Sequence, residues 1–222
     1  MAAFVEAKRA QFDSYKNMKG LNLIKKVIAS KIDNQAALLK YCTKNLDRKA
    51  YFKHTLHNLN LNIQRVRNIS LNNISDARNS ILSLEGLSSK AYWKVYMELL
   101  RYDTGFTGRD YESEDPVNIA INYGYAILYS LTWMSILNAG LEPFAGFLHT
   151  DRPGKPSLVF DLSEPFKQRI VDRLVMAIVN NGQHIKVIDG MLDVQSKKLI
   201  SLKVSSEFYK KENYCGRNLT LK

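Results

Sequence analysis

Four side chains with the chemistry to hold a hard cation stand out: Glu85, His149, Asp161 and Glu164. Asp161 and Glu164 are three apart in Asp161-Leu-Ser-Glu164, so on a helix they face the same way. His149 lies twelve residues before Asp161, in a connector rich in proline and glycine. One imidazole with two or three carboxylates suits Mg²⁺ or Mn²⁺ far better than structural zinc, because hard cations take oxygen ligands. The plainer alternative is a capping arrangement, with Asp161 as N-cap and Glu164 three positions on. Pro165 argues partly against it, since in that frame it removes the hydrogen bond back to Asp161. A helix opening at Ser163 or Glu164 accommodates Pro165 better and leaves both acids at the helix mouth. Glu85 sits at the edge of the apolar stripe of another predicted helix, on the side of Ile81, Ser88 and Tyr92. A carboxylate there is costly unless it is paired or bound to a cation. From that helix alone, a glutamate bonded to a lysine is the plainer reading.

Other chemistries find little support. The sequence has no Walker A loop, no GxGxxG after a strand, no GxSxG elbow and no HExxH. Cys42 and Cys215 form no CxxC pair and no disulfide framework, which fits a reducing compartment and ordinary unpaired cysteines. His54 and His57 fall in a basic helix and read as solvent-facing or phosphate-contacting rather than metal-binding.

The elements that must position these residues are mostly helical. Leu23, Val27, Ile28, Ile32, Ala36 and Leu39 recur at helical steps over 21–39, with lysines on the remaining face. Ile74, Ala77, Ile81, Leu84, Ala91, Val95 and Leu99 do the same over 74–99. An uncharged helix is predicted from about Pro116 to Asn138, with Pro116 in its first turn and Gly140 as its stop. Its length would span a bilayer, but Asn118, Asn122, Ser130, Thr132, Ser135 and Asn138 favour burial inside a domain and no membrane role. A further helix is expected from Asp161 or Ser163 to Val179. Short strand-like segments near 184–204, HIKVI and KLISLKV, precede a final basic helix or tail. The fold class is therefore mainly α, in a single domain. Residues 1–20 read as a helical lead-in, 21–205 as the helical domain, and 206–222 as the basic C-terminal helix or tail.

The 222 residues carry 32 Lys and Arg against 21 Asp and Glu, a net charge of +11 with a pI near 9.5. That balance excludes a generic disordered tail and an acidic buffer, and it points to an anionic partner. The surplus is uneven: +8 over 21–70, −4 over 111–196 and +5 over 197–222. Basic flanks suit phosphates, and an acidic middle suits a metal, as an enzyme acting on a polyanion requires. Lysines that merely solvate helix faces are the bland alternative.

Three blocks carry a resemblance: Glu85 to Trp93, Phe106 to Leu128 and Ala139 to Val175. With KKVIASKIDNQAALL at 25–39, they resemble the CRISPR-associated adaptation integrase, the "Cas-one" family, over about residues 21–205. By that resemblance Glu85, His149 and Glu164 match the metal-binding positions and Asp161 the neighbouring acidic one, all four serving catalysis. The resemblance implies a Mg²⁺- or Mn²⁺-dependent DNA integrase and endonuclease. Such an enzyme inserts short double-stranded fragments (prespacers) into a CRISPR leader-repeat by 3′-hydroxyl attack on the repeat phosphodiester. It implies a cytoplasmic homo-oligomer and a small companion adaptation protein ("Cas-two"). Arg109, Asn118, Tyr123 and Tyr125 fall in family-like blocks as candidates to line the cleft. Family members usually open with a β-rich domain that helps form the homodimer, and nothing before Lys25 reads as that domain. The competing expectation is a catalytically silent helical DNA-binding scaffold, in which only the basic flanks matter.

Overall fold

The computed structural model of this chain describes residues 2–44, 49–150, 152–210, 212–214 and 217–219. It opens with helices α1 (Ala2–Tyr15), α2 (Met18–Cys42), α3 (Lys49–Arg67) and α4 (Ile74–Glu98). A loop leads to α5 (Pro116–Asn138), and a second loop to a broken helical run. That run is α6 (Ser157–Ser163), a 3-10 turn (Glu164–Phe166), a π-helical turn (Lys167–Asp172) and α7 (Arg173–Asn180). Strands β1 (Val187–Ile188) and β2 (Met191–Leu192) pair antiparallel before α8 (Val194–Tyr209). A small antiparallel hairpin of β3 (Glu212–Tyr214) and β4 (Arg217–Leu219) follows α8. The class is mainly α, as the periodicity predicts.

Capping chemistry sets the helix limits. The Asn17 side chain accepts from the Lys19 amide at the start of α2, and Asn73 accepts from the Asp76 amide at the start of α4. Asp115 caps α5 by accepting from the Val117 and Asn118 amides, with Pro116 in the first turn. At its far end Gly140 takes φ +72, and the amides of Gly140 and Leu141 bond back to Leu137 and Ile136. That pairing closes the helix because glycine enters the left-handed region without a Cβ clash. The uncharged α5 buries Val117, Ile121, Leu128 and Ile136 in the core. Among the described residues no helix is long and apolar enough to cross a membrane. Cys42 is a free, half-buried thiol with its Sγ 3.4 Å from the Met176 sulfur, while Cys215 lies outside the described residues.

The core is built where α2 packs on α3 and α4, and where α5 packs on α6, the π-helical turn and α8. Its largest fully buried side chains include Tyr92, Tyr96, Ile24, Ile28, Ile32 and Leu128. Gly124 lets α5 approach the π-helical turn, since a Cβ there would stand 2.5 Å from Val171 Cγ1.

Two expectations need correction. KLISLKV lies inside α8 and is not extended; Ile200, Val204 and Phe208 are buried at four-residue steps, and Asp193 caps the helix onto the Ser196 amide. Among 184–204, only the two short pieces at 187–188 and 191–192 are strands. The helical run starts at Ser157, four residues before Asp161, so Asp161 lies within α6 and is not its N-cap. Pro165 disturbs the run instead of starting it: lacking an amide hydrogen, it falls in the 3-10 turn, and the π-helical turn follows.

Candidate active site

Glu85 and Glu164 come from different parts of the chain and meet at one ammonium. Lys31, on the inner face of α2, ion-pairs with Glu85 Oε1 from α4 and lies 2.6 Å from Glu164 Oε2 on the 3-10 turn. Lys167, one turn beyond Glu164, holds its other oxygen at 2.7 Å. The side chains of Lys31, Glu164 and Lys167 are only 11%, 7% and 8% exposed, and Glu85 is 20% exposed. Ser89 Oγ donates to Glu85 Oε1 at 2.9 Å, and Gln35 Nε2 donates to Ser89 Oγ at 3.2 Å. The plainer expectation for Glu85 matches the geometry: its partner is a lysine, and that lysine is shared with Glu164.

The charges in this knot stabilise one another. Burial by itself would raise the Glu164 carboxyl, but the Lys31 and Lys167 ammoniums outweigh it and hold the pKa at about 2. Burial would lower both lysines, yet Glu164, with Glu85 acting on Lys31, keeps them raised and charged. Both Glu164 carboxylate oxygens are thus engaged by ammonium groups, Oε1 by Lys167 and Oε2 by Lys31.

His149 and Asp161 form a second, adjoining unit. The fully buried Asp161 carboxylate accepts from the amides of Phe147, Leu148 and His149 at 2.6, 3.0 and 3.2 Å. It also lies 2.6 Å from His149 Nδ1. A carboxylate partner requires the proton on Nδ1, which makes Nε2 the electron-pair donor of the ring. The His149 ring packs near Phe160, which also meets Tyr129, and the Tyr129 ring lies under the Lys167 ammonium. The structure thus brings Glu85 and Glu164 together, and His149 and Asp161 together. Among the described residues no three His, Cys, Asp or Glu side chains cluster closely enough to hold a metal.

A cavity of about 600 Å³ opens beside the Lys31 knot, with Lys31, Glu85, Lys167, Arg109, Trp93 and Tyr125 among its walls. Arg109 stacks its guanidinium 4.1 Å from the Tyr111 ring centre and donates to Asn118 and Asn122 at 2.9 and 2.5 Å. Arg109 and Tyr125 thus face the cavity, whereas buried Asn118 secures the loop behind it through Gly108 and Asp115. Tyr123 belongs to a different hollow, shared with Glu112 and Leu192.

Beneath Tyr125 lies a group that sequence reasoning missed. Asp172, fully buried in the π-helical turn, accepts from Tyr125 and Tyr92 hydroxyls at 2.7 and 2.9 Å. The Tyr96 hydroxyl donates to its backbone carbonyl at 2.8 Å. Burial raises the Asp172 carboxyl to about 6, against the tyrosine hydrogen bonds and the nearby Arg109 and Lys167. Lys31 and Lys167 were missed as well. Only Lys167 left a local signal, its position one helical turn after Glu164.

A family model for "CRISPR associated protein Cas1" matches residues 2–192 of this chain. The chain belongs to the Cas1 family. A "CRISPR-associated endonuclease Cas1 2" of Pyrobaculum aerophilum is 34% identical over 217 residues, covering 96% of this chain and 66% of that protein. The chain spans between about half and two-thirds of the length of the curated Cas1 relatives it matches. A solved structure titled "Casposase bound to integration product" superposes with a TM-score of 0.79 at 24% identity. It covers 96% of this chain and 60% of that one, and shows a shared fold. A "Cas6-RT-Cas1--Cas2 complex" chain matches with a TM-score of 0.70 at 25% identity, over 86% of this chain and 21% of that one.

Glu85 and Glu164 carry the oxygen-donor chemistry that a hard divalent cation takes, but among the described residues His149 does not join them closely enough to complete a three-ligand cluster. Glu85 and Glu164 converge on one positive charge, the Lys31 ammonium. His149, with Nδ1 committed to Asp161, offers the tautomer that a metal-binding imidazole takes.

Proposed function

We propose that this chain carries the catalytic centre of a Mg²⁺- or Mn²⁺-dependent DNA integrase and endonuclease. Its reaction is the joining of a fragment's 3′-hydroxyl to a phosphodiester of a CRISPR repeat. The observation that carries the proposal is the convergence of Glu85 and Glu164 on one buried cation, beside a cavity lined by lysine and arginine. Glu85, Glu164 and His149 would hold the metal, and Asp161 acts as a positioning residue that fixes the His149 ring. When bound, the ion supplies Lewis-acid polarisation of the attacked phosphate and stabilises charge on the entering and leaving oxygens.

The chain's own residues account for the rest. Arg109 and Lys167 on the cavity wall, with Lys90 and Lys94 beside them, attract the phosphodiester and orient it. Tyr125, braced from below by Asp172, holds the Lys167 ammonium 4.9 Å from its ring centre and so fixes the direction of that charge. In the step itself, the 3′-oxygen forms a new bond to phosphorus and the repeat's own P–O3′ bond breaks. The attacking hydroxyl's proton leaves to solvent, and the departing 3′-oxygen takes one up. The basic residues around Lys25, Lys26 and Arg67 on α2 and α3 provide backbone-directed DNA binding with a steep salt dependence. Double-stranded DNA, a second copy of the chain and a Cas2-like companion are the proposed partners, in the cytoplasm.

Strand joining and cleavage of a labelled duplex, with Mn²⁺ and with EDTA, test the reading. Glu85→Gln, His149→Ala and Glu164→Gln are each expected to lose activity by about a thousandfold while DNA affinity stays within about threefold. Wild-type-like activity in all three variants would overturn it. DNA binding by the wild type with no metal-stimulated chemistry would identify a silent scaffold instead.

A further inference from the structure

We infer that Arg78 is a positioning residue: its guanidinium ties the backbone of the segment that carries His149 to the helix that carries Glu85, and so fixes where the His149 ring stands relative to Glu85. The inference rests on the catalytic reading above and adds what keeps its two halves in register.

The candidate residues belong to two frames. His149, Asp161 and Glu164 share the broken helical run. The Asp161 carboxylate in α6 accepts from the Phe147, Leu148 and His149 amides, and Glu164 follows three residues on. Glu85 stands instead on α4, with Lys31 of α2 beside it.

Arg78 links the frames directly. It lies in α4 seven residues before Glu85, on the same side of the helix and a rise of about 10 Å away. Its Nη2 donates to the Phe147 carbonyl at 3.1 Å and to the Tyr15 hydroxyl at 2.9 Å. That nitrogen carries two hydrogens, one for each acceptor, and its charge strengthens both bonds. Phe147 is two residues from His149 and is held at amide, carbonyl and ring. Asp161 takes its amide at 2.6 Å, Arg78 takes its carbonyl, and its buried ring lies 6.4 Å from that of Tyr15. A Cβ at Gly20 would stand 2.9 Å from the same ring, so the start of α2 closes on it without room to spare. A residue gripped at all three groups passes the position of α4 on to His149.

A second grip on the loop provides the contrast. Buried Gln11 of α1 donates to the Glu142 and Ala145 carbonyls at 2.9 and 2.8 Å and accepts from the Glu142 amide at 2.8 Å. It anchors the start of the loop to α1, four residues short of His149. Losing Gln11 costs stability, whereas losing Arg78 costs register as well.

Amide hydrogen exchange and Mn²⁺-dependent strand-joining kinetics of the full chain test this. Arg78→Met removes the donors and keeps an unbranched stem. Exchange at 147–149 should quicken by at least about tenfold while the buried amides of α5 keep their wild-type rates. The kcat should fall by about tenfold to a hundredfold with KM within about threefold, because a reacting group is misplaced while substrate binding survives. Arg78→Lys keeps a charged donor but loses the planar fork that serves both acceptors, and its kcat should fall by about threefold to tenfold. Gln11→Met should quicken exchange at Glu142 and leave kcat within about threefold of wild type. Wild-type kcat in Arg78→Met, an equal kcat loss in Gln11→Met, or faster exchange throughout α5 in Arg78→Met each overturns the inference. If Arg78→Met does not fold, Arg78→Lys decides, and wild-type values in both measurements overturn it. Absence of strand joining by the wild type is a different result, which refutes the catalytic reading; exchange at 147–149 then still decides whether Arg78 holds the loop.

Discussion

Replacing Asp172 with Asn should make the protein's stability less sensitive to pH. The Asp172 carboxyl is fully buried, and burial raises it from 3.8 to about 6 despite the hydroxyls of Tyr92 and Tyr125 that donate to it. Because the folded value exceeds the unfolded one, the unfolded chain releases its proton first as pH rises. Stability from this group is therefore complete below the unfolded value of 3.8 and is lost as pH climbs through about 6. At about 1.4 kcal/mol per unit, the full loss is about 3 kcal/mol, and about 2 kcal/mol of it falls between about pH 4 and about pH 8. Asn keeps the side chain's shape and an acceptor oxygen but does not titrate. Urea unfolding of both proteins across that range should show the Asn variant gaining about 2 kcal/mol on wild type as pH rises. Every other titrating group is common to both proteins, so the difference isolates Asp172. A difference that stays flat with pH would refute the raised carboxyl. It would also refute the view that Tyr125 is braced by a group whose charge the core resists.

Two further expectations concern the scaffold. Asp161→Asn replaces a carboxylate that accepts three backbone amides with a group that turns an NH₂ toward some of them, and should cost about 2–4 kcal/mol in urea unfolding. A loss below about half a kcal/mol would show that the 147–149 loop does not depend on it. Gly124→Ala places a methyl 2.5 Å from Val171 Cγ1 and should cost about 1–3 kcal/mol. Because the obstructing atom belongs to one side chain, Val171→Ala should recover much of that loss, and strictly additive losses in the double-mutant cycle would sink the explanation.

What was legible in the sequence follows the range of the interaction that decides it. The α5 limits could be read to the residue, since Asp115, Pro116 and Gly140 act within one turn of the helix ends. KLISLKV misled because a short apolar run fits both periods. The helical phase emerges only when Ile200 is followed through Val204 to Phe208 and when the Asp193 cap is noticed. For Asp161 neither the N-cap alternative nor a helix opening at Ser163 or Glu164 could reveal its partners, which are amides of the preceding loop. Lys31 could not be found by spacing at all, being 54 residues from Glu85 and farther still from Glu164. Only the packing of α2 on α4 and on the 3-10 turn brings the three together.

The charge pattern acquires a different meaning at this resolution. The sequence showed a basic protein with an acidic middle, and an acidic middle suggested carboxylates waiting for a metal. The site is instead balanced, with Glu85 and Glu164 facing Lys31 and Lys167. A buried pair of bare carboxylates would be strongly destabilising, whereas this quartet carries no net charge and can persist without metal. Addition of a divalent ion would leave the quartet at a net charge of about two, positive, in a region of low dielectric. Under the proposed function a DNA phosphodiester would meet that excess, and the basic residues of α2 and α3 would draw phosphates close by. On that reading the neutral knot and the basic exterior would be complementary: one lets the metal-free protein stay folded, and the other would supply the anion that makes a loaded site favourable.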